Sequence, residues 1–229
     1  MPSMTEIYER HSARYDELVD REDAAGSIAA RLAAEPGFDG GVVCEAGAGT
    51  GRLTRLYLGR TRRAYVFDRS GHMLEALAAK LPEAAGGNRL RITRAEHLEV
   101  APPEPAAVFL EGWSFGHFAM ERPEEPAEAA GLLDAVVRRA LAPGGRALLF
   151  ETLGTGVEEP AAPHPRLAAF YRALEALGYR REVLRTDYLF PDPGEAARVC
   201  GFFFGEAFGR AVLAAGSARV REFTGLWAR

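Results

Sequence analysis

The chain has 229 residues, of which 48% are hydrophobic, and this is enough to bury a sizeable core within one domain. Its net charge of −4 lacks the basic footprint of nucleic-acid-binding proteins, so we expect no nucleic-acid partner. Its two cysteines have no CxxC or histidine-rich surroundings, which predicts neither a disulfide framework nor a metal site and favours a reducing, cytoplasmic setting.

The N-terminal segment is charged along its length and lacks the apolar core of a secretory signal, which also favours a cytoplasmic location. Residues 5–34 have helical periodicity, with one break near residues 25–26. The longest apolar tract, residues 199–216, is interrupted by Glu206 and Arg210, so it is a poor membrane span. The sequence therefore predicts N-terminal helices and no membrane partner.

Strand-like and helical segments alternate between residues 41 and 151. A short apolar run rich in β-branched residues, such as the one at its start, is typical of a buried parallel strand. The alternation predicts an α/β fold in which helices cover both faces of a parallel sheet. The predicted strands lie at 41–47, 64–68, 89–96, within 101–115 and at 146–151, and the predicted helices lie at 52–60, 70–84 and 125–145.

The pattern of strand-like and helical segments changes after residue 151. The pattern predicts a helix over 165–179, a strand over 181–190, a helix over 194–216 and a final strand over 218–229. We find no internal repeat and no linker, and we therefore predict a single domain over residues 1–229. Its parts are an N-terminal segment, a central core and a C-terminal segment that completes the sheet, at 1–36, 40–151 and 152–229.

The stretch VVCEAGAGTGRLT, residues 42–54, places a glycine-rich turn between a strand and a helix. Such a turn directs backbone N–H groups and the positive end of a helix dipole at a ligand beyond the strand ends. The dinucleotide fingerprint G-x-G-x-x-G is not met, because Arg52 or Thr54 stands in the third glycine position. The pattern present is E-x-G-x-G-x-G.

At these residues the chain resembles the class I S-adenosylmethionine-dependent methyltransferases, and it does so over about residues 40–151. The resemblance extends to DRSGHMLEAL from residue 68, TRAEHL at 93–98 and LAPGGRALLFE at 141–151. It departs from the family pattern at Arg94, where an aspartate is common. The resemblance implies a three-layer, Rossmann-like, doubly wound sheet of seven strands whose last strand is antiparallel, with an N-terminal helical lid.

The resemblance also implies a site for S-adenosylmethionine (SAM), whose product would be S-adenosylhomocysteine (SAH). Asp68, at the end of the second strand, is suited to accept hydrogen bonds from both ribose hydroxyls. An acid before the glycine turn suits a sulfonium cation better than a phosphate. The expected cofactor-binding residues are Tyr15, Glu45, Ala46, Gly47, Gly49, Gly51, Asp68, Arg69, Met73, Ala95, Glu96, Glu111, Gly112 and Trp113.

The fourth strand ends in LEGWSFGHF, which differs from the Asn-Pro-Pro-Tyr type motif of base and glutamine methyltransferases with this fold. We therefore expect a small-molecule acceptor, methylated at oxygen, nitrogen or carbon by in-line displacement. His117 is the first candidate for a general base, by its location and near-neutral titration, and His11 is the second. Aromatic residues are expected to line the acceptor pocket, at Trp113, Phe115, Phe118, Tyr171, Tyr188 and Phe190.

Two other functions are compatible with these residues. A protein that binds SAM without transferring a methyl group needs the same turn and the same Asp68. A nicotinamide-dependent oxidoreductase is disfavoured by the missing fingerprint glycine and by the lack of a Tyr-x-x-x-Lys pair. The sequence does not distinguish a monomer from a homodimer.

Overall fold

The computed structural model describes residues 4–122 and 125–229. Within them the chain forms one sheet of seven strands and a separate sheet of two. The strands are β1 Val42–Ala46, β2 Arg63–Asp68, β3 Leu90–Arg94, β4 Ala106–Gly112, β5 Leu141–Thr155, β6 Arg180–Arg185, β7 Tyr188–Leu189, β8 Arg219–Val220 and β9 Glu222–Ala228.

The large sheet has the order β3-β2-β1-β4-β5-β9-β6, and β7 pairs with β8 in the small one. Strands β1 to β5 run parallel to one another, whereas β9 is antiparallel to both of its neighbours, β5 and β6. The predicted sheet of seven strands with its last strand antiparallel is confirmed. The order reverses at β1 and β4, and such a reversal opens a crevice beyond the carboxyl ends of these strands.

Helices cover both faces of the large sheet and the carboxyl ends of its strands. None of the helices in the described segments combines the length and apolar composition required to cross a bilayer. The helices are α1 Met4–Arg10, α2 Ser12–Val19, α3 Ser27–Ala33, α4 Thr54–Tyr57, α5 Gly71–Lys80, α6 Pro82–Ala85, α7 Phe115–Glu121, α8 Pro126–Ala140, α9 Pro165–Ala176, α10 Pro193–Phe204 and α11 Glu206–Ala215.

Strand β1 divides its side chains between the two faces of the sheet, and all five of its residues are buried. Val42, Cys44 and Ala46 pack in the cluster that includes residues of α7, α8 and α9. Val43 packs in the opposite cluster, with residues of α3, α4 and α5. Because side chains alternate along a strand, Glu45 has the same parity as Val43 and points toward that second cluster.

The N-terminal helices differ from the single break predicted within residues 5–34. The chain breaks first at His11, between α1 and α2, and again between α2 and α3. The second break ends at Gly26, whose φ of 72° is in the left-handed region that glycine adopts without steric cost. Ile7 and Leu18 then pack against α10, in a third cluster that joins the N-terminal helices to the C-terminal segment.

The predicted helix over 194–216 is wrong in one respect, because it breaks at Gly205. This glycine has a φ of 98°, so the chain turns and returns as α11 antiparallel to α10. A Cβ atom at Gly209 would lie 2.7 Å from the carbonyl oxygen of Ala197 and 2.9 Å from Cα of Gly201. The glycines therefore allow the two helices to approach closely, and tertiary packing converts one helical pattern into a hairpin.

The two C-terminal strands predicted over 181–190 and 218–229 are also each divided. Asp187 interrupts the first and accepts hydrogen bonds from the side chains of Arg185 and Arg219. It also accepts from the backbone N–H of Glu222, 3.3 Å away. These contacts pull β7 and β8 out of the large sheet, and alternation alone could not reveal the change of partner.

Candidate active site

A cavity opens beyond the carboxyl ends of β1, β2 and β4. The turn after β1, the segment after β2 and the corner between β4 and α7 form its walls, and the N-terminal helices cover it. The lining residues are Tyr8, Tyr15, Ala46, Gly47, Gly49, Phe67, Asp68, Arg69, Ser70, Met73, Ala95, His97, Val100, Gly112, Trp113, Ser114 and His117.

The glycine turn forms the floor of the cavity. Gly47, Gly49 and Gly51 have φ angles of 67°, 52° and 85°, all in the left-handed region. A Cβ atom at Gly47 would lie 2.2 Å from Cβ of Ser114, so glycine is required where the turn meets the β4–α7 corner. Gly51 faces Leu77 of α5 instead, and it does not line the cavity.

Asp68 holds the end of β2 against this turn. Its Oδ2 atom accepts a hydrogen bond from the backbone N–H of Gly49, and Oδ1 accepts one from that of Ser70, both at 2.8 Å. Burial raises the pKa of the carboxyl group, while these two backbone bonds oppose the rise. Each carboxylate oxygen retains a further lone pair, and the residue lines the cavity.

The N-terminal helices contribute two tyrosines to the cavity. Tyr8 and Tyr15 contact each other edge to face, with ring centres 5.8 Å apart. The hydroxyl of Tyr8 lies 3.0 Å from Nε2 of His117 on α7. Asp16 fastens this cover to the turn, because it accepts a hydrogen bond from Thr50 at 2.6 Å.

The ionisable groups of the lining have shifted pKa values. Burial raises the pKa of Tyr15 to about 12 and that of Tyr8 well above its usual value, so both phenols remain protonated. Burial lowers the pKa of His117, and it lowers that of His97 to about 4. Both imidazoles are therefore neutral at pH 7.

Comparison with proteins of known structure places this architecture. No protein-family model matches the chain, and no curated protein matches it in sequence. Among solved structures, the DhpI–SAH complex is 17% identical, with 97% of this chain and 92% of that one covered and a TM-score of 0.60. The chain has the fold of the class I SAM-dependent methyltransferases. This confirms the resemblance seen in the sequence.

Two further solved structures have the same methyltransferase fold. YcgJ from Bacillus subtilis is 14% identical, with 89% of this chain and 97% of that one covered and a TM-score of 0.59. Magnesium protoporphyrin IX methyltransferase (ChlM) from Synechocystis PCC 6803, solved with bound SAM, is 16% identical. In that case 99% of this chain and 85% of that one are covered, with a TM-score of 0.50.

Ten of the residues expected to bind a methyltransferase cofactor line the cavity together. They come from the lid, the glycine turn, the ends of β2, β3 and β4, and α5. His117, the first candidate for a base, lines it as well. The ten are Tyr15, Ala46, Gly47, Gly49, Asp68, Arg69, Met73, Ala95, Gly112 and Trp113.

Three expected site residues have other contacts. The carboxylate of Glu45 accepts hydrogen bonds from Thr54 at 2.7 Å and Tyr57 at 2.6 Å on the packed face of the sheet. Glu96 is exposed and forms a capping box with Glu99. His11 lies between α1 and α2, with its ring edge-on to Phe202, and does not line the cavity.

Glu111 also has a structural position. It is fully buried, and its carboxyl group accepts hydrogen bonds from the backbone N–H groups of Ser114 and Phe115. It lies beneath the cavity wall and not in it. The position of Glu111 near the end of β4 does not tell whether its side chain points into the cavity or into the interior beneath the wall.

Six lining residues were not among the expected ones, namely Tyr8, Phe67, Ser70, His97, Val100 and Ser114. Phe67 and Val100 carry no polar signal. Ser70 is also the N-cap of α5, since its hydroxyl accepts a hydrogen bond from the backbone N–H of Met73. His97 lies 2.8 Å, at Nε2, from the hydroxyl oxygen of Ser114. In the sequence, His97 directly follows the predicted strand over 89–96, and this position indicated that it could lie near the cavity.

Most of the expected aromatic lining is elsewhere. Phe115, Phe118 and Tyr171 pack in the core beside α8 and α9, and Tyr188 and Phe190 pack with α10. Of the six aromatic residues proposed for the acceptor pocket, Trp113 lines the cavity.

Trp113 has an unusual backbone conformation, with a φ of 52°. Its indole ring stacks with Phe150, at 6.0 Å between centres, and the guanidinium of Arg52 lies 3.9 Å from the ring centre. Arg52 is itself paired with Glu22 at 2.9 Å. A left-handed backbone conformation at a tryptophan costs conformational energy and persists only where the surrounding structure imposes it. Such strained residues are common at functional sites.

Proposed function

We propose that the protein transfers the methyl group of SAM to a small-molecule acceptor, at oxygen, nitrogen or carbon, and releases SAH. The observation that carries this proposal is Asp68, whose half-buried carboxylate lines the cavity beside a turn of glycines with left-handed backbone conformation. A carboxylate with one free lone pair on each oxygen is matched to the two hydroxyls of a ribose.

The residues present fit an adenosyl compound. Asp68 would hold the ribose, and the apolar groups of Met73 and Ala95 would contact the adenine. Arg69, held in place by Glu121, would border the same region. The amino-acid end would lie toward the glycine turn and Tyr15, with Gly112 and Trp113 completing the wall.

When bound, SAM would supply a methyl group on a sulfonium sulfur, from which the neutral thioether SAH leaves readily. The tasks of the protein are then to align the acceptor and to exclude water. Tyr8 and Tyr15 suit the second task, because their half-buried rings cover the cavity.

His117 is the proposed base for acceptors that carry a proton at the reacting atom. Its imidazole is neutral, half-buried and part of the cavity lining, and Nε2 lies 3.0 Å from the hydroxyl of Tyr8. A neutral imidazole can accept a proton from a hydroxyl or an ammonium group in the transition state. We propose that the reaction occurs in the cytoplasm, in keeping with two buried, unpaired cysteines.

Calorimetric titration with SAM, SAH and NADH tests the cofactor. We expect both adenosyl compounds to bind and NADH not to bind. The variant D68A should bind SAH about 30-fold more weakly or worse, because it loses charge-assisted hydrogen bonds. D39A, at an aspartate that is paired with Arg60 outside the cavity, is the matched control and should bind as the wild type does.

The acceptor is tested by incubation with methyl-labelled SAM and three fractions of a cell lysate: small molecules, RNA and protein. Labelling confined to the small-molecule fraction supports the proposal, and labelling of RNA or protein contradicts it. SAH binding without labelling of any fraction would favour a SAM-binding protein without transferase activity.

A further inference from the structure

The first turn of α7 is held by two buried carboxyl groups from neighbouring strands. Glu111, on β4, accepts hydrogen bonds at Oε1 from the backbone N–H groups of Ser114, at 2.6 Å, and Phe115, at 3.0 Å. Glu151, on β5, accepts at Oε1 from the backbone N–H of Gly116. Three consecutive N–H groups that a helix cannot satisfy internally are therefore bound by carboxyl oxygens.

The approach of Glu151 requires the glycine at position 116. A Cβ atom there would lie 2.6 Å from Oε2 of Glu151 and 3.2 Å from Oε1. Any larger residue would displace the carboxyl group from the helix. Glu111 and Glu151 are 0% and 3% exposed, so water does not screen them.

One oxygen of the pair lacks a donor. Oε2 of Glu111 is buried and has no hydrogen-bond donor among the described residues. The carboxyl group of Glu151 lies beside it, because the two side chains bind neighbouring N–H groups at the start of the same helix. Two ionised carboxylates side by side in the interior would repel each other, whereas a proton on one of them supplies the missing donor.

We propose that Glu111 and Glu151 share one proton and act as positioning residues for the cavity wall formed by the β4–α7 corner. The part of this proposal that concerns SAH affinity rests on the proposed function. The part that concerns the geometry of the corner does not.

The corner that the pair fixes carries two polar contacts of the cavity. Ser114 packs directly on Gly47 of the glycine turn, and its hydroxyl oxygen is 2.8 Å from Nε2 of His97. One helical turn further on, His117 faces the hydroxyl of Tyr8. Movement of the first helical turn of α7 would therefore displace the glycine turn and both imidazoles, and it would break the contact of His117 with the lid.

The surroundings of the pair also favour a shared proton. Two titratable groups near it are Tyr171 on α9 and Tyr8 on α1. Burial raises the pKa of both phenols and keeps them neutral, so neither supplies a positive charge that would stabilise a second carboxylate. Burial raises the pKa of Glu151 itself to about 8.

The variants E111Q and E151Q test the shared proton. In each, an amide N–H replaces it, and the remaining glutamate is the single ionised partner. At pH 7 we expect SAH affinity within about threefold of the wild type, because every hydrogen bond is retained. As the pH rises past 8, the wild type should lose affinity as its shared proton dissociates, whereas E151Q should retain it.

The double variant E111Q/E151Q brings two amides together and leaves one N–H group without an acceptor. We expect its SAH affinity to fall by about tenfold or more, the effect of an unsatisfied buried polar group. ¹⁵N-histidine NMR should show shifted signals for His97 and His117 in the double variant but not in either single one. E35Q, at a buried glutamate at the opposite end of the sheet, is the matched control and should leave all three readouts unchanged.

The proposal is overturned if E151Q loses SAH affinity at the same pH as the wild type. It is also overturned if the double variant keeps wild-type histidine signals. If the wild type binds no SAH, the proposed function fails, and the histidine signals recorded against pH in the wild type and E151Q still decide whether the pair shares a proton. The single variants also decide the question if the double variant does not fold.

Discussion

Two carboxyl groups, near the ends of adjacent strands β1 and β2, lie in regions with different roles. Asp68 faces the cavity and is held by two backbone N–H groups, which leaves a lone pair on each oxygen. Glu45 faces the packed side of the sheet, where Thr54 and Tyr57 donate to one of its oxygens. The first arrangement leaves capacity for a ligand, and the second fastens the helix after the glycine turn to the sheet.

The difference teaches that burial and a raised pKa do not identify a binding group by themselves. Burial raises the pKa of Glu45 to about 7 and raises that of Asp68 as well. What distinguishes the two is where the unused lone pairs point. Substitutions at the packed side should therefore lower stability, and substitutions at the cavity side should lower ligand affinity.

The largest expected effect is at the packed side. E45A leaves the hydroxyls of Thr54 and Tyr57 buried without their acceptor, and it should lower the free energy of unfolding by about 3 kcal/mol. Urea denaturation measures the loss. E45Q, which keeps an acceptor oxygen, should lose less, and SAH affinity of folded E45Q should stay within about threefold of the wild type. A large loss of SAH affinity in E45Q would assign Glu45 to the cavity side.

The cavity side is tested by comparing alanine substitutions at Gly47 and Gly40. Both have a φ near 68°, but a Cβ atom at Gly40 would meet no atom within 4 Å, whereas one at Gly47 would collide with Ser114. G40A should cost about 1 kcal/mol of stability, from backbone strain alone. G47A should cost about 1 kcal/mol more and weaken SAH binding, since Ser114 must move. Equal affinities for SAH in the two variants would show that this part of the turn does not contact the ligand.

A pH titration of stability tests both regions together. The pKa values of Glu45, Glu151 and Glu222 are raised by burial to about 7, 8 and 8, so the folded state binds more protons than the unfolded state at neutral pH. The free energy of unfolding should therefore fall as the pH rises from the ordinary glutamate pKa toward 8.

Two histidines of the cavity lining change the free energy of unfolding in the opposite sense at lower pH. The pKa values of His97 and His117 are lowered, so they add stability as the pH rises toward their usual value of about 6.5. Above about pH 6.5 the raised pKa values of the glutamates determine the pH dependence. We expect the free energy of unfolding to fall by on the order of 1 kcal/mol per pH unit between about pH 6.5 and 8. Urea denaturation at pH 6.5, 7.2 and 8 measures it. A rise in stability over this window would contradict the protonated state of these carboxyl groups.

The smallest expected effect is at the lid. Y8F removes the hydroxyl that lies 3.0 Å from Nε2 of His117 but keeps the aromatic contact with Tyr15. We expect SAH affinity to fall by about threefold, the effect of one partly buried hydrogen bond. ¹⁵N-histidine NMR should show a changed Nε2 signal for His117. An unchanged signal would mean that the lid does not contact α7 in solution.

Local pattern predicted the central part of the fold well. The strands and helices of residues 41–151 have distinct periodicities, and the left-handed glycines at the turn are read directly from residue type. The C-terminal segment was predicted less well, because Gly205 and Asp187 do not disturb the local pattern. Their effects depend on partners that lie far away in sequence, namely the facing glycines of α10 and α11 and the arginines around Asp187.

The sequence by itself determined the order of the elements, the glycine turn and the identity of the acid at the end of β2. These depend on periodicity, on backbone freedom and on residues that follow one another directly. Only the tertiary structure decided that Asp68 faces the cavity whereas Glu45 and Glu111 face the interior. The physical reason is that a carboxyl group is directed by the donors that surround it, and those donors come from elements brought together by folding.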